Sequence, residues 1–141
     1  MSRSPATLIL LTAATMFTAP ASAERFEFQS PSGNIHCEAD DDPEEGGVRC
    51  DILEVDQQSF TRRPQDCDLD WGQTFFVGAA EAAKLACAGD TIVNPDSQVL
   101  KYGERLLIGD YLVCYSETTG LECQNTRGSG FALSRGEQLV Y

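Results

Sequence analysis

The sequence predicts a small all-β domain, mainly antiparallel, built as a barrel or a sandwich and held by three disulfides. Three observations predict it. Apolar residues come in short stretches with a period near two, the spacing of half-buried strands. Glycine, proline, asparagine and aspartate punctuate those stretches, as turns require. Six cysteines, an even number, lie behind a segment with the pattern of an export leader, so they are expected to be paired in an oxidising compartment.

The leader reading rests on Arg3, an apolar run from Ala6 to Phe17, and the small residues Ala21-Ser22-Ala23 that a signal peptidase accepts. The run is too short for a spanning helix, which takes about 20 apolar residues. The expected organisation is a signal peptide at 1–23 and a single disulfide-stapled β domain at 24–141, with no membrane anchor after cleavage. Periplasmic or secreted localisation follows.

Phe26-x-Phe28 opens the domain as a strand, and Ser30-Pro31-Ser32-Gly33-Asn34 reads as a turn. Ile35-x-Cys37 and Val48-x-Cys50-x-Ile52 are two strands around a tip ending at Gly46-Gly47. Gly78–Ala88 is ambiguous. Its alanines favour a helix, while the alternation of Leu85 and Cys87 suits a strand; one short helical turn at Ala79–Ala83 running into a strand is expected. Tyr102-Gly103-Glu104 turns between Gln98–Tyr102 and Arg105–Ile108. Leu112–Tyr115 and the segment around Cys123 form another pair of strands about Thr119-Gly120.

Two stretches resemble each other, each a strand, a polar turn and a strand with a cysteine on both arms. They favour Cys37–Cys50 and Cys114–Cys123 as clipped hairpins, with Cys67–Cys87 as the remaining bridge. Fifteen pairings of six cysteines are open to the sequence alone.

Composition narrows function. The chain carries a formal net charge of −12. Removing Arg3 with the leader makes it more negative. The acidity is concentrated before residue 71. Nucleic acid and anionic membranes are therefore disfavoured as partners, and a cationic protein is the expected class. With six paired cysteines and His36 as the only histidine, thiol, zinc and Ser-His-Asp chemistry have little to work with. No metal or other cofactor is expected. His36 precedes Cys37 on a strand and should point to the opposite face, at the surface or an edge. The run Asp40-Asp41-Asp42-Pro43-Glu44-Glu45 lacks the spacing of a calcium loop and reads as a solvated hairpin tip. Trp71 is expected in the core. Asp66, Asp68, Asp70 and Asp90 are the carboxylates from which a glycosidase-like pair would be drawn. Gly128-Ser129-Gly130, flanked by Arg127 and Arg135, is the candidate binding segment, its backbone N–H groups suited to an anion.

Taken together, several pieces resemble a family of small exported bacterial domains of unknown function. They are Ser30-Pro31-Ser32-Gly33-Asn34-Ile35-x-Cys37, Val48-Arg49-Cys50-Asp51-Ile52, Cys67-x-Leu69-Asp70-Trp71-Gly72 and Cys87-x-Gly89-Asp90-Thr91. To these add Tyr102-Gly103, Gly120-x-x-Cys123-x-Asn125 and Gly128-x-Gly130-Phe131-x-Leu133-Ser134-Arg135. Relatives often place a histidine where this chain has Ser129. The resemblance implies an exported domain and supplies no activity. The Gly128–Arg135 segment is also similar to the protruding loop of periplasmic lysozyme inhibitors. Function is thus expected to be non-enzymatic binding, with inhibition of a cationic cell-wall hydrolase as its specific form. A structural envelope component and a carboxylate-dependent glycan hydrolase are the alternatives.

Overall fold

The computed structural model describes residues 14–19 and 22–141. Most of the expected leader lies outside the described residues. No helix among the described residues is long and apolar enough to cross a membrane.

Among the described residues, eleven strands form two sheets. The first sheet takes β1 (Arg25–Gln29), β2 (Ile35–Asp40), β3 (Gly47–Ile52), β4 (Thr74–Gly78), β5 (Lys84–Leu85) and β6 (Gln98–Val99), in the order β5-β4-β3-β2-β1-β6. The second takes β7 (Arg105–Ile108), β8 (Leu112–Glu117), β9 (Gly120–Asn125), β10 (Gly130–Leu133) and β11 (Gln138–Val140), in the order β11-β10-β9-β8-β7. All pairings are antiparallel except β1 with β6. The architecture is a sandwich, the two sheets packing β4 against β9 and β10.

The period of two puts one row of each sheet inside. Phe28, Cys37, Cys50 and Phe75 lie side by side across β1 to β4, and Cys114, Cys123 and Phe131 across β8 to β10. All seven are at most 2% exposed. Two cross-strand disulfides, Cys37–Cys50 and Cys114–Cys123, therefore lie in one core cluster, in which the Phe75 and Phe131 rings meet across the sheets 6.1 Å apart. Each bridge joins directly opposed residues with Cα atoms 4.1 Å apart, so it also fixes the register of its hairpin. Cys67–Cys87 is the third bridge, and no cysteine is free.

The helical turn expected at Ala79–Ala83 is absent: the segment is a bend. Tertiary bonds override the alanine preference for helix. The Gly78 N–H is bonded to the Glu81 carbonyl and the Ala79 N–H to the Gly46 carbonyl. The Asn125 side chain holds the Gly78 and Glu81 carbonyls from the other sheet. The turn at Tyr102-Gly103 is present, with Gly103 at φ +84°, but it does not join a hairpin. β6 before it lies in the first sheet and β7 after it in the second, so the turn is where the chain crosses the sandwich.

β5 and β6 sit at opposite edges of the first sheet, so the connection between them, residues 86–97, crosses its outer face as a strap. The strap covers a row of polar side chains, Gln29, His36, Asp51 and Thr74, which lie opposite one another on β1 to β4. Each is at most 8% exposed. This corrects the expectation for His36. It does point away from Cys37, but it is 4% exposed because the strap covers that face. Its Nε2 donates to the Gly33 carbonyl at 3.0 Å. Gln29 donates to the Pro95 and Ser97 carbonyls, both at 2.9 Å, and ties down the far end of the strap.

Candidate functional site

Arg49 locks the strap at its other end. On β3, Arg49 and Asp51 are two residues apart and share a face, so the guanidinium reaches the Asp51 carboxylate through Nε and Nη2, both at 3.2 Å. Its remaining edge bonds the Asp90 carboxylate at 2.9 Å and the Asp90 carbonyl at 3.1 Å. Asp51 also receives the Ile92 N–H at 3.5 Å. The Val48–Ile52 and Cys87–Thr91 motifs thus meet in one clamp. The hydrogen bond and charge of Arg49 hold the Asp90 carboxyl below its ordinary range.

A cleft of about 200 Å³ beside this clamp contains Asp51, Asp70, Asp90 and Trp71. Trp71 is therefore not a core residue; it is partly buried at the cleft wall. Asp66 and Asp68 are outside the cleft lining. A general acid needs a carboxyl pushed up, and Asp90 is pushed down. Among the described residues, no group of three or more His, Cys, Asp or Glu is placed to hold a metal ion. The acidic tip is instead an Asx-type turn: Asp42 Oδ1 accepts the Glu44 and Glu45 N–H groups at 2.9 and 2.8 Å. Those two bonds hold the Asp42 carboxyl below its ordinary range. Gly46 closes the turn where a Cβ would lie 2.3 Å from the Asp42 carbonyl oxygen.

The five candidate binding residues are not brought together. Arg127, Gly128, Ser129 and Gly130 lie at the turn entering β10, and Arg135 lies beyond its other end. The segment between is β10 itself, paired on both sides, so only the turns flanking it project. The first turn is fully engaged. The Arg127 and Ser129 N–H groups bond the Asn125 side-chain oxygen at 3.0 and 3.1 Å. The Gly128 N–H bonds the Asn125 carbonyl and the Gly130 N–H the Tyr141 carbonyl. Ser129 Oγ donates to the Tyr141 carbonyl and accepts from the Ala83 N–H, and Arg127 holds the Ala80 carbonyl. With every backbone donor taken, the turn has none left for an anion. Its partners make it a clamp on the bend that follows β4.

A larger cleft, about 550 Å³, lies at the opposite end of the sandwich. The Ser30–Ile35 turn and Leu53-Glu54 line it from the first sheet. The β8–β9 tip Glu117–Gly120, Ser134–Gly136 and the crossing residue Tyr102 complete it. Its walls are fixed from within. The Ile35 N–H bonds Ser30 Oγ at 3.1 Å, and the Gly33 N–H bonds the Ser30 carbonyl at 2.9 Å. Asn34 pairs through its amide with both backbone groups of Glu54, each bond 2.9 Å. Gly120, at φ +146°, lets the tip lie where a Cβ would be 2.2 Å from the Leu133 carbonyl oxygen. Arg135 brackets the two sheets. It bonds Glu54 at 2.7 Å and Asp56 at 2.9 Å, and its carbonyl accepts the Asp56 N–H at 2.7 Å. Asp56 and then Glu54 raise the Arg135 pKa, and Arg135 in turn holds the Asp56 carboxyl low. The cleft therefore has one cation, already paired to two carboxylates, and a further carboxylate in Glu117. Exposed Leu53 and Tyr102 supply its apolar surface.

Serine, glycine and asparagine of the first motif, Tyr102, Gly120 and the terminal Ser134-Arg135 all gather at this end. The chain belongs to a family of unknown function, DUF6636, which it matches over residues 6–141. No curated protein matches it, and no solved structure does.

Proposed function

We propose that the protein is an exported, non-enzymatic binding domain that takes a cationic protein into the end cleft between its sheets. The observation that carries this reading is the cleft's chemistry: Glu54 and Glu117 stand at a preformed hollow whose only cation, Arg135, is already saturated by Glu54 and Asp56. A basic side chain entering there meets uncompensated negative charge and finds Tyr102 and Leu53 for its aliphatic stem. The walls are held by bonds within the domain, so little ordering remains to be done on binding. The acidic net charge would speed encounter with a basic partner. Three disulfides support a periplasmic or secreted setting. The narrower reading, inhibition of a hydrolase by an inserted Gly128–Arg135 loop, draws no support from a segment whose middle half is a central strand.

The test uses the oxidised protein, immobilised, against envelope and extracellular extract at low salt. A discrete cationic protein should be retained, released by a salt step, and lost with Glu54→Gln/Glu117→Gln. Arg127→Ala, at the far end, should retain it. No cationic protein held at low salt, or retention indifferent to the carboxylate pair, overturns the proposal.

A further inference from the structure

The three disulfides are not equally accessible. Cys37, Cys50, Cys114 and Cys123 are at most 1% exposed and lie in the core. Cys67 is 3% exposed, but its partner Cys87 is exposed, on the strand-less segment that begins the strap. An attacking thiolate must reach a sulfur along the disulfide axis, so access decides which bridge reacts. The surroundings also favour selective opening. The chain from Thr61 to Asp70 is exposed almost throughout, with Cys67 as its one buried residue. Beyond the bridge it is held by few bonds, Cys67 N–H to the Pro64 carbonyl and Ala88 N–H to the Asp70 carbonyl. The strap beyond Ala88 is held independently, by Arg49 at Asp90 and Gln29 at Pro95 and Ser97. Breaking Cys67–Cys87 thus frees one loop without releasing a sheet. An acceptor for the product is already in place. Cys67 Sγ lies 3.4 Å from the Leu69 carbonyl oxygen. In the disulfide that is a contact only; in the reduced chain a Cys67 S–H can donate to it.

We propose that Cys67–Cys87 is a thiol-exchange site on the folded domain, opened by an external dithiol while the two core bridges stay closed. One thiolate of the dithiol attacks Cys87 Sγ, the bond to Cys67 Sγ breaks, and Cys67 leaves as a thiolate that takes a proton from water. The second thiol, deprotonated, attacks the mixed disulfide at the dithiol's own sulfur and releases Cys87, which is protonated in turn. The dithiol ends as a disulfide, and the protein has gained two electrons and two protons. The functional consequence is a loop, residues 61–70, that is fixed when oxidised and mobile when reduced. Asp70 and Trp71 of the small cleft lie at its end.

The experiment treats the oxidised protein with stepped dithiothreitol in the absence of denaturant, alkylates at each step, and maps the labels by mass spectrometry. A species labelled at Cys67 and Cys87 alone should accumulate before any other cysteine reacts. Freed of reductant, that species should be cut by trypsin after Arg62 at least about tenfold faster than the oxidised protein, since the loop has lost its restraint. Cys67→Ser/Cys87→Ser, with its two core bridges intact, should reproduce the cleavage. Labels appearing on four or six cysteines together, no labelling until denaturant is added, or unchanged cleavage after Arg62 would each overturn the proposal.

Discussion

Replacing Arg49 by methionine should destabilise the domain by about 2–3 kcal/mol, through the carboxylate it leaves behind. Asp51 has a side chain only 9% exposed and Arg49 one of 22%, so this ion pair is substantially withdrawn from water. Removing one partner of a fully buried pair costs about 3–5 kcal/mol. Partial exposure lowers that figure, and the surviving bond from the Ile92 N–H, at 3.5 Å, offsets little of it. The Asp90 end of the clamp is a minor contributor, because that carboxylate is 74% exposed. For a domain of this size the loss corresponds to a fall in Tm of about 8–12 °C. Urea unfolding with the disulfides intact gives the free energy directly, and the amide of Ile92 should exchange faster as the strap loosens. Arg49→Met/Asp51→Leu removes both charges, so it should cost less than Arg49→Met alone, because no buried charge is left unpaired. A loss below about 1 kcal/mol for Arg49→Met, or a double variant as unstable as the sum of the two singles, would refute the account of the clamp.

The Asp90 and Asp56 carboxyls, lowered by Arg49 and Arg135, should titrate below the ordinary aspartate value of about 3.9 in a carbon-detected NMR titration. Because their folded pKa values are depressed, the stability they add is present above that value and is lost as the pH falls through the folded pKa. A midpoint at or above about 3.9 would contradict the contacts. Cys114→Ala/Cys123→Ala should cost about 3 kcal/mol in urea unfolding, from a bridge spanning nine residues of chain plus the cavity left between the sheets. A loss under about 1 kcal/mol would count against the bridge as a register lock. Gly120→Ala should lower stability by at least about 2 kcal/mol, since its Cβ would overlap a backbone oxygen at a positive φ. A neutral substitution there would show that the β8–β9 tip is free to move away from Leu133.

Much of the fold was legible because its local signals agree. In Ile35–Asp40 and Gly47–Ile52, alternation, turn residues and cysteine position all specify one hairpin, and the structure contains it with its bridge. The same holds for β8 and β9. What was not legible depended on residues far apart in the chain. His36 reads as an outward-facing residue, and nothing near it announces a strap arriving from residues 86–97. Gln98-Val99 carries too little pattern to reveal a parallel pairing with β1, some seventy positions earlier. The alanines of Gly78–Ala83 state a preference that Asn125 overrules from the other sheet. The clamp did leave a trace. Arg49 and Asp51 stand two apart on an alternating strand, and so share a face in a chain poor in cations. The end cleft left almost none, because its lining comes from five separate stretches of sequence, and Arg135 reads as a neighbour of Gly128-Ser129 until β10 is seen to separate them.

The cysteines of this chain pair consecutively: the first with the second, the third with the fourth, the fifth with the sixth. In any compartment that oxidises the polypeptide as it emerges N-terminus first, each thiol meets its proper mate before a later competitor has arrived. The native pairs are then the first pairs that oxidation in order of delivery can form.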